Sequence, residues 1–231
     1  MTSNKIQALV FDWDGTIIDS TRLIVDSLLN ASRDLGLAEP SRQSASSLIG
    51  LLLAEAVRRL HPDITEAQIP KFIERYRHYY FQKDASLQPF IGIPELLEEL
   101  ATKPVWLAVA TGKSRVGLMR ALAELGWQDG SKKRFISLRC GDDGEPKPSP
   151  WMLNDLAAEL GLKPQEMIMI GDTTHDLGMA RSAQVEAVAV NYGAQPVELL
   201  ERFIASAQPA HPTVHMVSSV EQLRERILSY L

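Results

Sequence analysis

Residues Phe11 to Thr16 read Phe-Asp-Trp-Asp-Gly-Thr and close an apolar run, which predicts a short buried strand. Side chains two residues apart on an extended chain face the same side, so Asp12 and Asp14 should project together, with Trp13 opposite. Gly15 then allows the backbone to turn sharply. Two carboxylates on one side usually share a divalent cation or a proton, although Asp-Gly is also common in plain hairpin turns.

The composition is that of an ordinary globular protein, with 231 residues, 45% hydrophobic and 23% charged, and a net charge of -5. This length is enough for one large core and a small second domain. The densest basic run, Lys132-Lys133-Arg134, is short, so nucleic acid is not an expected partner. Cys140 is the only cysteine, which excludes an intramolecular disulfide and a cysteine-based metal cluster.

The first residues, Met1 to Lys5, lack the apolar centre of a signal peptide. No apolar run approaches the ~20 residues needed to cross a membrane. We therefore expect a cytoplasmic enzyme or binding protein that does not act at a membrane. No feature of the sequence points to a particular oligomeric state.

Hydrophobic periodicity separates a helical block from a block of alternating strands and helices. Between about residues 21 and 87 the spacing is helical throughout. Further helices are expected there over residues 41–49, 51–60 and 65–83, the last with a capping start at Thr65 to Gln68. From residue 89 onward short apolar runs predict strands between helices, at residues 105–110, 135–138, 167–170, 185–190 and 214–217.

Strands that alternate with helices imply an α/β fold with a Rossmann-like parallel sheet. The helical block interrupts this sheet directly after its first strand. We therefore expect a split core domain of residues 1–18 and 89–231 and an all-helical cap domain of residues 19–88. The chain crosses between them near Asp19 and near Gln88, and paired crossings favour a hinge.

Polar groups follow the predicted strands at the edge where open parallel sheets bind their ligands. The second strand ends in Thr111-Gly112-Lys113, and the loop after the third contains Lys147. The fourth ends in Gly171-Asp172-Thr173-Thr174-His175-Asp176. Together with the opening motif, these groups are suited to holding a phosphate beside a cation.

This order of motifs resembles the haloacid dehalogenase-like (HAD) hydrolase superfamily, on its phosphatase side. The matching residues are Asp-x-Asp-Gly-Thr at 12–16, Thr111, Lys147 and Gly-Asp-x-x-x-Asp at 171–176. The place of the helical block resembles the helical-cap subfamily, which includes phosphoglycolate phosphatases and β-phosphoglucomutase. The resemblance implies a HAD-like core with a cap, and a Mg²⁺-dependent hydrolase that cleaves small phosphomonoesters through an aspartyl-phosphate.

The catalytic roles follow from chemistry together with this resemblance. A carboxylate has a reference pKa of ~4, so Asp12 is expected to be ionised and to attack phosphorus without a base. Asp14 would protonate the leaving oxygen and then deprotonate water. Thr111 would hydrogen-bond a phosphoryl oxygen, although a simple helix N-cap is the other interpretation. Lys147 would place a positive charge against the phosphate and Asp12.

The expected metal site consists of four acidic residues. Asp172 is suited to bind Mg²⁺, which takes few carboxylates and keeps several waters. Asp176, four residues later, shares a helix face with it and fits the metal site or its surroundings. By resemblance, Asp12 contributes its carboxylate and Asp14 its backbone carbonyl.

Two glycines are expected to bind substrate. Gly112 stands where many relatives carry Asn, so a side-chain contact to the substrate is absent there and specificity would differ. Gly50 lies in a turn, Ser47 to Gly50, between two predicted cap helices, and would allow close approach of a ligand.

Several other polar residues keep two interpretations each. Arg22, near the hinge, would meet a second anionic group of the substrate or be solvated. Lys113 would face the site or solvent. His175 lies inside the last motif and would be catalytic, or would have no such role, since its position varies in the family. The acidic residues of the loop 142–145 are expected to be solvated rather than to form a second metal site.

The presence of Asp14 favours phosphate chemistry, because relatives that remove halide from carbon lack this acid. A sugar-phosphate mutase is one alternative, but relatives of that type carry a histidine at the position of Ile24, and isoleucine cannot move protons. A binding protein with a vestigial site is the other alternative. The substrate is expected to be a small phosphorylated metabolite.

Overall fold

The computed structural model describes residues 5–83, 86–128 and 134–231. Within these ranges the chain forms six strands and ten helices, which confirms the α/β class. None of these helices is both long and apolar enough to span a lipid bilayer. In chain order the elements are β1 (Ala8–Phe11), α1 (Thr21–Asp34), α2 (Arg42–Ser46), α3 (Leu53–Leu60), α4 (Ile69–Phe81), α5 (Ile93–Leu100), β2 (Trp106–Ala110), α6 (Arg115–Glu124), β3 (Ser137–Arg139), α7 (Trp151–Leu160), β4 (Met167–Gly171), α8 (Thr174–Ala183), β5 (Glu186–Val190), α9 (Val197–Ala205), β6 (Val214–Val217) and α10 (Val220–Leu228).

All six strands form one parallel sheet in the order β3-β2-β1-β4-β5-β6. Strand β1, which leads into the opening motif, lies at the centre between β2 and β4. The register places Phe11 beside Val109 and Ile170, so these three strands end at the same edge of the sheet. The polar residues that follow each strand are therefore brought together.

Helices cover both faces of the sheet because successive strand residues point to opposite sides. Leu9 and Phe11 pack in the layer that contains α5, α6 and α10. Ala8 and Val10 pack in the layer that contains α7, α8 and α9. Trp13 is buried in the first of these layers, which confirms that it lies away from the acidic residues.

Helices α1 to α4 lie between β1 and α5 in the chain and bury a core of their own, which includes Leu28, Val57 and Phe72. The chain enters and leaves this block along paired backbone segments. The N–H of Asp19 donates to the carbonyl of Gln88 at 3.1 Å. The structure thus places an all-helical insertion after the first strand, whereas the exact cap bounds of 19–88 stay a prediction.

Two features of the helices differ from the expectations. Helix α4 begins at Ile69, not at Thr65, because the Gln68 side chain accepts hydrogen bonds from the N–H and the hydroxyl of Thr65 (2.9 Å each) and holds a turn. Pro70 then lies in the first turn, where its missing N–H breaks no hydrogen bond. Helix α9 was not predicted, although Leu200, with Phe203 and Ile204 after it, has the spacing of a buried helix face.

Candidate active site

The predicted catalytic residues meet at the carboxyl edge of the sheet. Asp12 and Asp14 follow β1, Thr111 follows β2 and Asp172 follows β4, and all four are buried. Lys147 reaches the same place from the loop after β3. The edge is therefore a buried polar site within an apolar core.

The side chain of Lys147 is 0% exposed and forms two ion pairs. Its Nζ lies 2.6 Å from Asp12 Oδ1 and 2.5 Å from Asp176 Oδ1. Burial by itself would lower the pKa of this lysine, but the two carboxylates outweigh burial and hold the pKa above its ordinary value. Lys147 therefore remains charged and ties the loop after β3 to both acids.

Asp12 has two oxygens in different situations. Oδ1 accepts the hydrogen bond from Lys147, whereas Oδ2 is buried and has no hydrogen-bond partner among the described residues. Burial raises the pKa of Asp12 to about 7, against the lowering effect of Lys147. Burial thus works against the ionised form expected from the reference value, and further positive charge beside Asp12 would favour that form.

Three buried carboxylates form a cluster. Asp12, Asp172 and Asp176 each present an oxygen, and these atoms lie within 4.8 Å of one another. Burial, followed by the proximity of Asp12 and Asp176, raises the pKa of Asp172 well above its ordinary value. Only one ammonium, that of Lys147, pairs with this cluster in the described part of the chain. The excess negative charge, the oxygen ligands and the unpartnered Asp12 Oδ2 fit a hard divalent cation.

Backbone and hydroxyl donors hold two of these acids in place. Asp172 accepts from the Thr16 hydroxyl (2.9 Å) and from the N–H of Ala194 (2.6 Å). Asp176 accepts from the N–H (3.0 Å) and the hydroxyl (2.6 Å) of Thr173, the residue that caps α8. Lys147 engages one oxygen of Asp176 and Thr173 engages the other. Asp176 therefore holds its neighbours in place and has no unpaired oxygen to offer a ligand.

Glycines make room for the same acids. Gly15 has a φ of +91°, and a Cβ there or at Gly193 would collide with the side chain of Asp172. A Cβ at Gly171 would likewise collide with Asp176. Gly15 therefore both turns the chain and makes room for Asp172. Gly193 is a further site residue that the sequence does not reveal, because it follows β5, where there is no motif.

The Asp14 carboxylate turns away from the cluster. It accepts a hydrogen bond from the Ser20 hydroxyl at 2.7 Å, and Lys113 Nζ lies 3.2 and 3.1 Å from its two oxygens. The predicted metal role of Asp14 is thus not carried by its side chain. Lys113 also donates to the hydroxyl of Tyr80, a cap residue, at 3.0 Å, and lies 4.6 Å from the centre of its ring.

Lys113 belongs to the site, and the alternative of a solvent-exposed lysine is wrong, since its side chain is 11% exposed. Burial lowers its pKa, but the Asp14 carboxylate together with Tyr80 and Tyr76 outweighs this effect, and the net pKa is raised. Thr111 is not the N-cap of α6, because Ser114 accepts the capping hydrogen bond from Gly117 at 3.3 Å. The Thr111 oxygen accepts from the N–H of Lys113 at 3.1 Å, and no described residue accepts a hydrogen bond from its hydroxyl.

The two glycines expected to bind substrate lie against each other. A Cβ on Gly112 would collide with the carbonyl oxygen of Gly50, so a side chain such as Asn does not fit at this position. Gly50 has a φ of +93°, and a Cβ there would lie 3.1 Å from the Thr173 hydroxyl. His175 joins the same contact, with Nε2 3.3 Å from the carbonyl of Ser47. This contact is where the cap turn closes on the core.

The cap and the core line a partly open cavity of about 230 Å³. Asp12, Asp14, Thr111, Gly112 and Gly50 all line it. Lys147, which was also expected to bind the phosphate, is not among the residues that line it.

Two expectations about charged residues near the cavity are decided by the structure. Arg22 has a side chain that is 91% exposed and lies 3.9 Å from Asp26, so the solvated interpretation is confirmed. In the acidic loop 142–145, Asp142 and Glu145 are exposed, as expected. Asp142 also accepts from the N–H of Arg115 at 2.8 Å, and Asp143 forms an ion pair with its guanidinium. These acids hold the start of α6 and do not join the carboxylate cluster.

The family model described as haloacid dehalogenase-like hydrolase matches residues 9–190. The chain belongs to this family. Its relatives also indicate a phosphatase. A pyrophosphatase from Halalkalibacterium halodurans is 28% identical to this chain, over 86% of this chain and 90% of its own length. A phosphoglycolate phosphatase from Agrobacterium fabrum is 29% identical over 87% and 88%.

The crystal structure of a hydrolase from Pseudomonas syringae superposes with a TM-score of 0.82 at 21% identity, and covers 96% of this chain and 98% of that one. At this level of identity, the similarity supports the fold alone. The family match and the relatives confirm the resemblance inferred from the four motifs, and the chain is an enzyme of the phosphatase class.

Proposed function

We propose that the chain is a Mg²⁺-dependent phosphatase that hydrolyses small phosphomonoesters through a phosphorylated Asp12. The observation that carries this proposal is the situation of Asp12. One of its oxygens is paired with the buried Lys147, the other lacks a partner among the described residues, and the residue lines the cavity under the cap. A buried carboxylate kept in this state beside a cavity is suited to attack a bound phosphate.

The residues present fit a magnesium site. Asp12 Oδ2 and Asp172 would hold the ion, with the backbone carbonyl of Asp14 as a third ligand and Asp176 beside them. When bound, the ion supplies the positive charge that keeps Asp12 ionised and offsets the charge of the phosphate. Mg²⁺ suits the site because it accepts a few carboxylates and completes its shell with water and phosphate oxygens.

The chain's own residues would perform two displacements at phosphorus. In the first, a bond forms from an Asp12 oxygen to phosphorus while the bond from phosphorus to the alcohol oxygen breaks, and Asp14 gives its proton to that oxygen. In the second, Asp14 takes a proton from water as the water oxygen attacks phosphorus and the Asp12 carboxylate leaves. Thr111 and Lys147 would hold the phosphoryl oxygens through both steps.

The cavity favours hydrolysis over the mutase alternative. Ile24 lines its wall at the position where relatives of the mutase type carry a histidine. An alkyl side chain cannot protonate or deprotonate a sugar hydroxyl there. The named relatives, a pyrophosphatase and a phosphoglycolate phosphatase, support a small phosphorylated substrate. A cytoplasmic location and the lack of a nucleic-acid partner stay predictions.

Phosphate release from a panel of small phosphomonoesters tests this function, with Mg²⁺ and with EDTA, for the wild type and Asp12→Asn. We expect release that needs Mg²⁺ and that Asp12→Asn abolishes. Asp63→Asn is the matched control, because Asp63 is exposed and lies far along the chain from the motifs. Thermal unfolding of each variant verifies that it is folded. Full turnover by a folded Asp12→Asn variant would remove the basis of the proposal.

A further inference from the structure

The cavity beside Asp12 has a cap wall that is mainly apolar. The cap side chains in this wall include a group of aliphatic and aromatic residues from α1, α3, α4 and the turn before α3: Ile24, Leu28, Leu52, Leu53, Ile73 and Phe81. Tyr76 and Tyr80 add two stacked rings, with centres 5.6 Å apart and planes at 19°. A ligand that enters this space is therefore surrounded mostly by carbon atoms.

The charges around the cavity leave little to bind a second anion. Lys113 is already neutralised by Asp14, whose two oxygens it contacts at 3.2 and 3.1 Å. Arg77 is the other basic residue among the described residues that line the cavity, and its side chain is exposed. Asp142 lines the cavity too and would repel an anion. An anionic group buried away from Arg77 would lose its hydration without gaining a partner.

The size of the cavity limits the substrate. A dry protein cavity of about 150 Å³ lined by Leu, Ile and Phe holds one benzene molecule. The cavity of about 230 Å³ has room for one such ring together with the phosphoryl group beside Asp12 and Thr111. The base, sugar and phosphate of a nucleotide together would extend beyond this space.

We propose that the group of the substrate that occupies this cavity is a compact, predominantly apolar alcohol, such as a single ring or a short branched chain, and that it carries no second anionic group. The inference rests on the proposed function, because it concerns the leaving group of that same hydrolysis. It distinguishes this chain from an enzyme for phosphoglycolate or pyrophosphate, each of which would place a carboxylate or a phosphate against the apolar wall.

The test is a comparison of kcat/KM for four substrates with Mg²⁺: benzyl phosphate, methyl phosphate, phosphoglycolate and pyrophosphate. We expect benzyl phosphate to exceed both anionic substrates and methyl phosphate by roughly tenfold or more, since each apolar group placed in a matching pocket contributes about that factor. Ile73→Lys adds a cation to the apolar wall and should reverse the order of benzyl phosphate and phosphoglycolate. Ile91→Lys is the matched control, because Ile91 is 97% exposed and does not line the cavity, and it should keep the wild-type order.

Two results would overturn the inference in distinguishable ways. If the wild type prefers phosphoglycolate or pyrophosphate, and Arg77→Ala removes that preference, Arg77 binds a second anionic group and only the substrate class is wrong. If the folded protein releases phosphate from none of the four compounds with Mg²⁺, the proposed function fails and the inference fails with it.

Discussion

Replacement of the buried Lys147 by methionine should destabilise the protein strongly in the absence of metal. The methionine has a similar length and volume, so the packing is retained and the change is essentially one of charge. What is lost is the ammonium that pairs with Asp12 and Asp176, at 2.6 and 2.5 Å. The cluster of Asp12, Asp172 and Asp176 then has no cation paired with it among the described residues.

The magnitude follows from the burial of the pair, since Lys147 and both partners are at most 1% exposed. Removing one partner of a buried ion pair costs about 3–5 kcal/mol, because the remaining charge stays buried without compensation. For a chain of this size 1 kcal/mol corresponds to about 2–4 °C in the unfolding midpoint. Lys147→Met should therefore lower the midpoint by roughly 6–20 °C.

Denaturant unfolding in EDTA and in Mg²⁺ is the assay, with Lys71→Met as the control, because Lys71 is exposed on α4. The control should stay within about 0.5 kcal/mol of the wild type. Mg²⁺ should stabilise Lys147→Met more than the wild type, because the ion meets a more negative site. A variant as stable as the wild type in EDTA, or one that gains less from Mg²⁺, would refute this view of the charge balance.

Three further changes follow from the same site. With EDTA the free energy of unfolding should fall as pH rises from about 4 to about 7 and then level off. Burial raises the pKa of Asp12 from 3.8 to about 7, so in this interval the folded protein holds a proton that the unfolded chain has lost. Mg²⁺ should flatten that fall, and a metal-free protein that gains stability over the same interval would contradict it. Gly112→Ala should lower kcat/KM by about a hundredfold with little loss of stability, because the new Cβ collides with the Gly50 carbonyl and lifts the cap turn from the core. Wild-type kinetics for this variant would show that the contact is irrelevant to turnover. Lys113→Met should lower kcat about tenfold or more, since the proton donor Asp14 loses the ammonium that holds it in place. Lys113→Arg should restore part of the lost kcat. A change in KM alone would assign Lys113 to substrate binding instead.

The sequence predicts the acidic part of the site well, for a physical reason. The carboxyl ends of adjacent parallel strands meet at one edge, so residues placed directly after them, such as Asp12 and Asp172, are neighbours once the strands are recognised. The same reasoning places Thr111 beside them. β1 and β4 are recognisable as strands because they are continuous apolar runs, buried on both faces.

The supporting contacts were beyond the reach of sequence patterns, because they join residues far apart in the chain. Ala194 donates to Asp172, and Gly193 makes room for it, from a segment after β5 that has no motif. The position of Lys113 depends on Asp14 and on Tyr80 in the cap, which only the closed arrangement brings together. The raised pKa of Asp12 is likewise a property of burial, which the reference value of a free carboxylate does not contain.

The stereochemical course at phosphorus tests most directly whether Asp12 is phosphorylated. An ester of a thiophosphoryl group made chiral with oxygen isotopes is hydrolysed in isotope-labelled water, and the configuration of the released thiophosphate is compared with that of the ester. Each in-line displacement inverts phosphorus, so attack by Asp12 followed by attack of water gives net retention. We predict retention. Net inversion would show that water attacks the ester directly and would contradict the role assigned to Asp12.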